Sequence, residues 1–314
     1  MIGLDKIREA AVQISDVIHR TPVMTSSGLN EQTGNDIFLK GEHLQKTGSF
    51  KIRGASNKVL KAVREGGRHM VAASSGNHGQ AVAYIAGQSG IRATIVVPED
   101  ASPAKVAAIE SYGGHVVRCG LTSAERIPEA LRIAGETGGV FVPPYDDPDI
   151  IAGQGTAGME ILAQVSGCEA VVVPVGGGGL AAGILCAVKQ MNPEVLVIGV
   201  EPETADDTRQ SLAAGRRIAI GPTRTVADGL RTSIPGEVTF PILRDHLDCL
   251  VTVSEEEIKE ACRFLFRYAK QVVEPSGAVS VAALLSGKSG LHGKKVAAVL
   301  SGGNVSVEAF AEML

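Results

Sequence analysis

Lys51 is the side chain best equipped for covalent chemistry. It sits in Lys46-Thr47-Gly48-Ser49-Phe50-Lys51-Ile52-Arg53-Gly54-Ala55, bracketed by glycines and directly after an aromatic ring. An amine that forms a Schiff base must shed its proton near neutral pH, and partial burial beside apolar groups lowers a lysine pKa enough for that. A lone Phe-Lys beside a turn is more often a surface feature, so Lys51 gains weight only with partners elsewhere in the chain.

Three turns supply such partners. Ser74-Ser75-Gly76-Asn77-His78-Gly79-Gln80 follows the apolar run 70–73 and leads into a helical stretch. Small residues there leave backbone N–H groups facing a cavity, and the helix dipole favours an anion, although an ordinary N-cap reads the same way. The apolar run 171–175 feeds Gly176-Gly177-Gly178-Gly179 and then a second helical stretch. Consecutive glycines cost backbone entropy, and close approach of main-chain amides to a phosphate is a physical reason to keep them. The run 296–300 ends in Ser301-Gly302-Gly303-Asn304, a hydroxyl and two glycines that could cap a ring nitrogen, line a ligand or make a plain βα turn. Gly177, Gly179 and Ala182 also approximate a dinucleotide fingerprint, with Glu201 closing the next strand. An NAD-dependent dehydrogenase is therefore the rival reading, but it leaves Lys51 and the Ser75 loop without a task.

These turns need strand ends to hold them. Strands are expected at 70–73, 93–97 and 115–118, alternating with helices near 77–88, 103–112 and 123–136. Pro143-Pro144-Tyr145-Asp146-Asp147-Pro148 reads as a crossing between domains. A second series follows, with helix 154–165, strand 171–175, helix 180–190, strands 195–200 and 249–253, helix 254–270 behind a Ser254-Glu257 capping box, and strand 295–300. The fold class is α/β, two doubly wound parallel-sheet domains with a cleft between them where strand ends meet.

Taken together the motifs resemble the serine/threonine dehydratase and serine racemase family of pyridoxal-phosphate enzymes, fold type II (tryptophan synthase β-like), from near Thr21-Pro22 to Asn304. The resemblance implies that Lys51 holds pyridoxal 5'-phosphate and then acts as base at the substrate Cα. Phe50 would flank the ring, Asn77 would meet its phenolic oxygen, Gly176, Gly177, Gly178 and Gly179 would hold the phosphate, and Ser301 would face the pyridine nitrogen. Ser74, Ser75, Gly76, Asn77 and His78 resemble the loop that binds the substrate. The implied activity is an L-threonine/L-serine ammonia-lyase yielding 2-oxobutyrate or pyruvate plus ammonia, with the cofactor supplying the hard chemistry. Ser75 could protonate the opposite face, so serine racemase is the alternative, and a 3-hydroxyaspartate dehydratase a lesser one in which Arg126 reaches the distal carboxylate.

The resemblance implies more. Glu201, the Ala205 carbonyl and Asp207 look like its divalent-cation site, a hard oxygen shell for Mg²⁺, Ca²⁺ or Mn²⁺, with Glu203 as a competing ligand. Without the resemblance, an acidic helix start explains the aspartates. Lys46, Thr47 and Gln80 match the nucleotide-sensing pattern of animal racemases, but Tyr145 stands where an asparagine is expected, so ATP activation is not. Glu274-Pro275-Ser276-Gly277-Ala278 looks like the family's loop near the ring, or a plain helix boundary. Residues 1–66 with 147–314 would form the large cofactor-binding domain, 67–146 a small mobile one, and the molecule a homodimer. The chain ends at Leu314 soon after Ser301, so no regulatory domain and no isoleucine inhibition are expected.

Composition agrees. The chain has 314 residues, 44% hydrophobic and 4% aromatic with no Trp, enough for two cores built from Val, Ile, Leu and Ala. A net charge of −4 offers no basic stripe for nucleic acid. No apolar run approaches the ~20 residues that span a bilayer, and the N-terminus is no signal peptide. The five cysteines are scattered and lack metal spacing, reading as reduced core thiols of a cytoplasmic protein. His19, His43, His69, His115, His246 and His292 read as surface or loop histidines.

Overall fold

The computed structural model describes residues 1–313. Six strands form the larger sheet in the order β1 (Val23–Thr25), β2 (Asp36–Lys40), β10 (Lys295–Val299), β7 (Ala170–Pro174), β8 (Leu196–Pro202) and β9 (Cys249–Val253). Four form the smaller one, in the order β5 (His115–Arg118), β4 (Arg92–Val97), β3 (His69–Ala73) and β6 (Val140–Phe141). Every pairing is parallel except β1 with β2, an antiparallel edge that the all-parallel expectation lacked.

Parallel sheets bury both faces, and the strand residues divide accordingly. In β7 all five residues are buried. Val172 shares a core with Leu39, Val200 and Val296, while Val171 and Val173 join Val197, Ala297 and Val299 on the other face. The smaller sheet repeats the pattern, with Met70, Ala72, Ile95 and Val97 packed on Val82 and Ile85, and Val71 and Val96 on Ala130 and Ala134.

Helix Lys51–Arg64 contributes Ile52, Ala55, Val59 and Ala62 to the smaller sheet's core. Its other side meets helix Pro148–Gln164 so closely that a Cβ on Gly54 would lie 2.8 Å from the Ile150 carbonyl oxygen, and one on Gly153 would lie 2.6 Å from that of Arg53. Helix Gly179–Met191 crosses the same helix with equal intimacy, since a Cβ on Gly183 would lie 2.6 Å from the Gly155 nitrogen. This glycine-to-glycine stack ties the first turn of the Lys51 helix to the helix that follows the tetraglycine.

Other expectations change in detail. The helix expected over 154–165 begins at Pro148, the last residue of the turn-rich crossing, where Asp147 caps the amides of Asp149 and Ile150. The helix expected over 254–270 ends at Phe264 and passes into a wider turn, Leu265–Ala269, closed by Lys270 at φ 57°. Cys249 is exposed and Cys119 half-buried, so only Cys168, Cys186 and Cys262 are core thiols. His43 and His69 are buried, not superficial: His43 is bonded to Gln271, and His69 lies between Thr94 and Thr137. Among the described residues no helix is long and apolar enough to cross a membrane.

Candidate functional site

Lys51 opens its helix at the end of a loop stitched to the C-terminal end of β10. Phe50 N–H donates to the Ser301 carbonyl at 3.0 Å and Gly303 N–H to that of Gly48 at 2.9 Å, while Ser49 and Gly302 form an isolated bridge. The Lys51 Nζ donates to the Pro144 carbonyl at 2.7 Å and lies 5.2 Å from the centre of the Phe50 ring. Burial pulls its pKa down to about 8, against the opposing pull of the Glu274 carboxylate.

The Ser74–His78 turn arrives from the other sheet, between β3 and helix Asn77–Gln88. Ser74, Ser75 and Gly76 are half-buried, and the Ser74 hydroxyl accepts from Gly76 N–H at 3.3 Å. Asn77 donates to Glu274 Oε1 at 2.7 Å and accepts from Asn304 Nδ2 at 2.7 Å. His78 donates through Nε2 to the Val142 carbonyl at 2.8 Å; burial, then the Lys51 charge, push its pKa down to about 3. It is therefore a neutral imidazole. Glu274 is buried without a cationic partner, and burial followed by repulsion from Asp228 pushes its pKa up to about 8.

Gly176 to Gly179 are all buried at the head of helix Gly179–Met191, with Gly178 at φ 89°. A Cβ on Gly177 would run into the Tyr145 ring, and one on Gly178 would lie 2.9 Å from Thr239 and Leu243. Thr239 Oγ1 donates to the Gly177 carbonyl at 2.7 Å, which fixes the turn. Ser301 is buried, its hydroxyl 3.4 Å from the Ser276 carbonyl.

Glu201 and Asp207 are also brought together, and Ala205 is buried two residues before Asp207. Glu201 accepts from the amides of Thr208 and Arg209 at 3.0 and 2.9 Å, and Asp207 Oδ1 accepts from Thr232 Oγ1 at 3.1 Å. Asp207 Oδ2 is buried without a partner. Burial, then the neighbouring Asp207, raise the Glu201 pKa to about 8. Among the described residues no group of three or more His, Cys, Asp or Glu side chains is arranged to hold a metal, so the expected donor set has only two carboxylates. Glu203 is committed to Lys288 at 3.0 Å and does not compete for it. Arg126 is spent locally on the Leu121 carbonyl and the Ser123 hydroxyl.

Residues 14–302 match the family described as pyridoxal-phosphate dependent enzyme. The chain belongs to that family. It is 49% identical over 308 residues to an L-threonine ammonia-lyase of Thermotoga maritima, covering 98% of this chain and 77% of that protein. It is 42% identical over 309 residues to an L-threo-3-hydroxyaspartate ammonia-lyase of Saccharomyces cerevisiae, covering 98% and 95%. Among solved structures, a maize serine racemase superposes with a TM-score of 0.95 at 39% identity, covering 99% of this chain and 96% of that one.

The side chains of this pyridoxal-phosphate-dependent enzyme fit its cofactor. A buried amine of lowered pKa, an adjoining aromatic ring and a glycine turn at a helix N-terminus are what an aldehyde-bearing aromatic phosphate requires. The nicotinamide alternative falls with the family assignment. It also loses its ribose-binding acid, because Glu201 is turned onto a helix start. The residues that sequence reasoning passed over are the Pro144 carbonyl, Tyr145, Glu274 and Asn304. All four stood inside stretches already noticed, Pro144 and Tyr145 in the crossing, Glu274 before Pro275 and Asn304 after two glycines, but only the fold brings the first two to Lys51 and the tetraglycine and the last two to Asn77.

Proposed function

We propose that this chain is an ammonia-lyase acting on L-threonine and L-serine, releasing ammonia with 2-oxobutyrate or pyruvate. One observation carries the reading. Lys51 Nζ rests on the Pro144 carbonyl, and the next residue, Tyr145, covers Gly177, so the amine and the anion cradle are held by adjacent positions of one turn. The 49% identity to an L-threonine ammonia-lyase supports the substrate class.

When bound, the cofactor supplies an electron-withdrawing ring system that acidifies the Cα–H of an amino acid joined to it. Lys51 would hold the cofactor and move the proton at the substrate Cα. Phe50 would flank the ring and Asn77 would donate to its phenolic oxygen. Gly176 to Gly179 offer amides and a helix N-terminus to the phosphate. The neutral Ser301 hydroxyl serves the ring nitrogen without protonating it, which favours elimination over transamination. Ser74, Ser75, Gly76, Asn77 and the uncharged His78 receive the substrate carboxylate at a helix start.

Racemisation of serine is the second reading. It is favoured by the half-buried Ser75 hydroxyl in the turn after β3 and by the likeness to the maize serine racemase. A 3-hydroxyaspartate substrate is the lesser reading, supported by the likeness to the Saccharomyces cerevisiae relative and by the unpartnered Nε of Arg126, whose other donors bond locally. Glu201, the Ala205 carbonyl and Asp207 hold a divalent cation, a reading supported by the unpartnered Asp207 Oδ2. We assign residues 1–66 and 147–314 to the large domain and 67–146 to a small mobile one, with the glycine stack keeping helix Lys51–Arg64 on the large side. The enzyme acts as a cytoplasmic homodimer.

The test is a time course with L-serine or L-threonine and Mg²⁺, quantifying 2-oxo acid and D-serine in the same tube. Oxo acid well ahead of D-serine is expected, and D-serine in equal or greater yield makes this a racemase. Turnover retained by Lys51→Ala refutes both.

A further inference from the structure

Asn77 is read at both ends of its side-chain amide, and the reading starts from a group that has no choice. A backbone carbonyl only accepts, so the Thr47 carbonyl, 2.7 Å from Asn304 Nδ2, decides which end of the Asn304 amide faces it. The second N–H of that nitrogen meets Asn77 Oδ1 at 2.7 Å, which places the Asn77 NH₂ on the opposite side. There it donates to Glu274 Oε1 at 2.7 Å. An isolated asparagine amide can flip at almost no cost; a flip here would set the Asn77 NH₂ against the Asn304 NH₂ and, where Glu274 is ionised, the Asn77 carbonyl against its carboxylate.

The backbone is shaped to admit the chain. A Cβ on Gly48 would overlap Asn304 Oδ1, and one on Gly302 would overlap Glu274 Oε1. Thr47 holds φ 60°, a left-handed conformation costly for a β-branched residue, and it is this residue whose carbonyl begins the sequence. The chain also crosses between sheets, because Asn77 follows β3 whereas Thr47, Glu274 and Asn304 lie beside β10.

We propose that Asn304 and Glu274 are positioning residues that lock the Asn77 amide in one orientation, leaving one N–H as the single donor it can present to the phenolic oxygen of the cofactor. The inference rests on the role given to Asn77 above. Neither residue touches the reacting atoms in this account. Their effect is to guarantee that a donor, and not a carbonyl, faces that oxygen.

The experiment compares Asn77→Ala, Asn304→Asp, Asn304→Ala, Glu274→Gln and Glu274→Ala holoenzymes by the pH-dependent absorbance of the bound cofactor and by its dissociation constant. Thermal unfolding checks that each is folded. Asn304→Asp removes both donors and invites the Asn77 amide to turn round, so it should reproduce the spectral shift of Asn77→Ala. Asn304→Ala does so less completely, and serves where the aspartate variant fails to fold. Glu274→Gln keeps the accepting carbonyl and should shift the spectrum less than Glu274→Ala. Asn304 is exposed and water competes for its bonds, so the expected loss of cofactor affinity in its variants is about threefold, below the tenfold of a buried hydrogen bond. If Asn77→Ala alters the spectrum while both Asn304 variants match the parent, the orienting chain is wrong and the role of Asn77 stands. If Asn77→Ala is itself silent, both are wrong.

Discussion

Arg53 lies two residues beyond Lys51 and is fully buried, so its removal tests what holds the lysine in place. Its five N–H donors all find acceptors. Nε and NH2 fork onto Glu42 at 2.7 and 2.8 Å, NH1 and NH2 onto Glu160 at 2.8 and 2.9 Å, and NH1 also reaches Thr156 Oγ1 at 3.1 Å. Lys40, also buried, completes the set through Glu160, Gln164 and the Thr21 carbonyl at 2.6, 2.8 and 2.9 Å. Arg53→Met would leave Glu42 and Glu160 with one cation between them. Removing one partner of a buried charged pair costs about 3–5 kcal/mol. Unfolding entropy of about 2.1 cal/mol/K per residue makes that a drop in Tm of about 5–8 °C for this length. Arg53→Lys keeps the charge but loses the fork, and should fall between. The pH dependence has a definite sign. Burial alone would raise the Glu42 pKa, but Arg53 holds it below its usual 4.5, so the contribution is present above about pH 4.5 and fades as pH falls through the lowered folded value. The gap between parent and Arg53→Met should therefore shrink on acidification. The assay is thermal unfolding by circular dichroism from about pH 8 down to about pH 2.5, a span that passes below the ordinary carboxylate values. A Tm within a degree of the parent at pH 7.5, or a gap that widens toward acid, would refute the account.

Three further outcomes follow from the same site. Gly177→Ala drives a methyl group into the Tyr145 ring and should weaken cofactor binding at least about tenfold, with partial recovery in the Gly177→Ala/Tyr145→Ala double variant; parental affinity in the single variant would remove the close-approach argument. Capture of added cofactor by the apoprotein should accelerate as pH rises and level off above about 8, because only the uncharged Lys51 amine reacts. A midpoint near that of free lysine would contradict its burial, and Glu274→Gln, lacking the opposing charge, should move the midpoint lower. Chelation should lower Tm by about 4 °C if the cation was present at roughly a hundred times its Kd, and Asp207→Asn should abolish that response; a parent indifferent to chelator holds no such ion.

Much of this was readable in the chain because the strands that carry the site are short apolar runs ended by glycine. β3, β7 and β10 each lead into a turn of small residues, and those turns are where Asn77, the tetraglycine and Ser301 lie. What stayed hidden depended on contacts between distant segments. β2 is only Asp-Ile-Phe-Leu-Lys and ends in a buried lysine, so no periodicity announces it; its place is decided by pairing with β10 and by the ion network around Arg53. β6 is two residues long and exists only as an edge for β3. Glu274 reads locally as the residue before a helix-starting proline, and only the fold, which buries it with no salt-bridge partner, makes its carboxyl a partner for Asn77. The Pro144 carbonyl carries no sequence signal at all, since every residue has one. A motif thus names the side chains that do chemistry, whereas the groups that aim them are distant acceptors and glycines with no room for a side chain. Substitutions at Asn304, Glu274 and Arg53 should disturb this site while leaving Lys51, Asn77 and the tetraglycine in place.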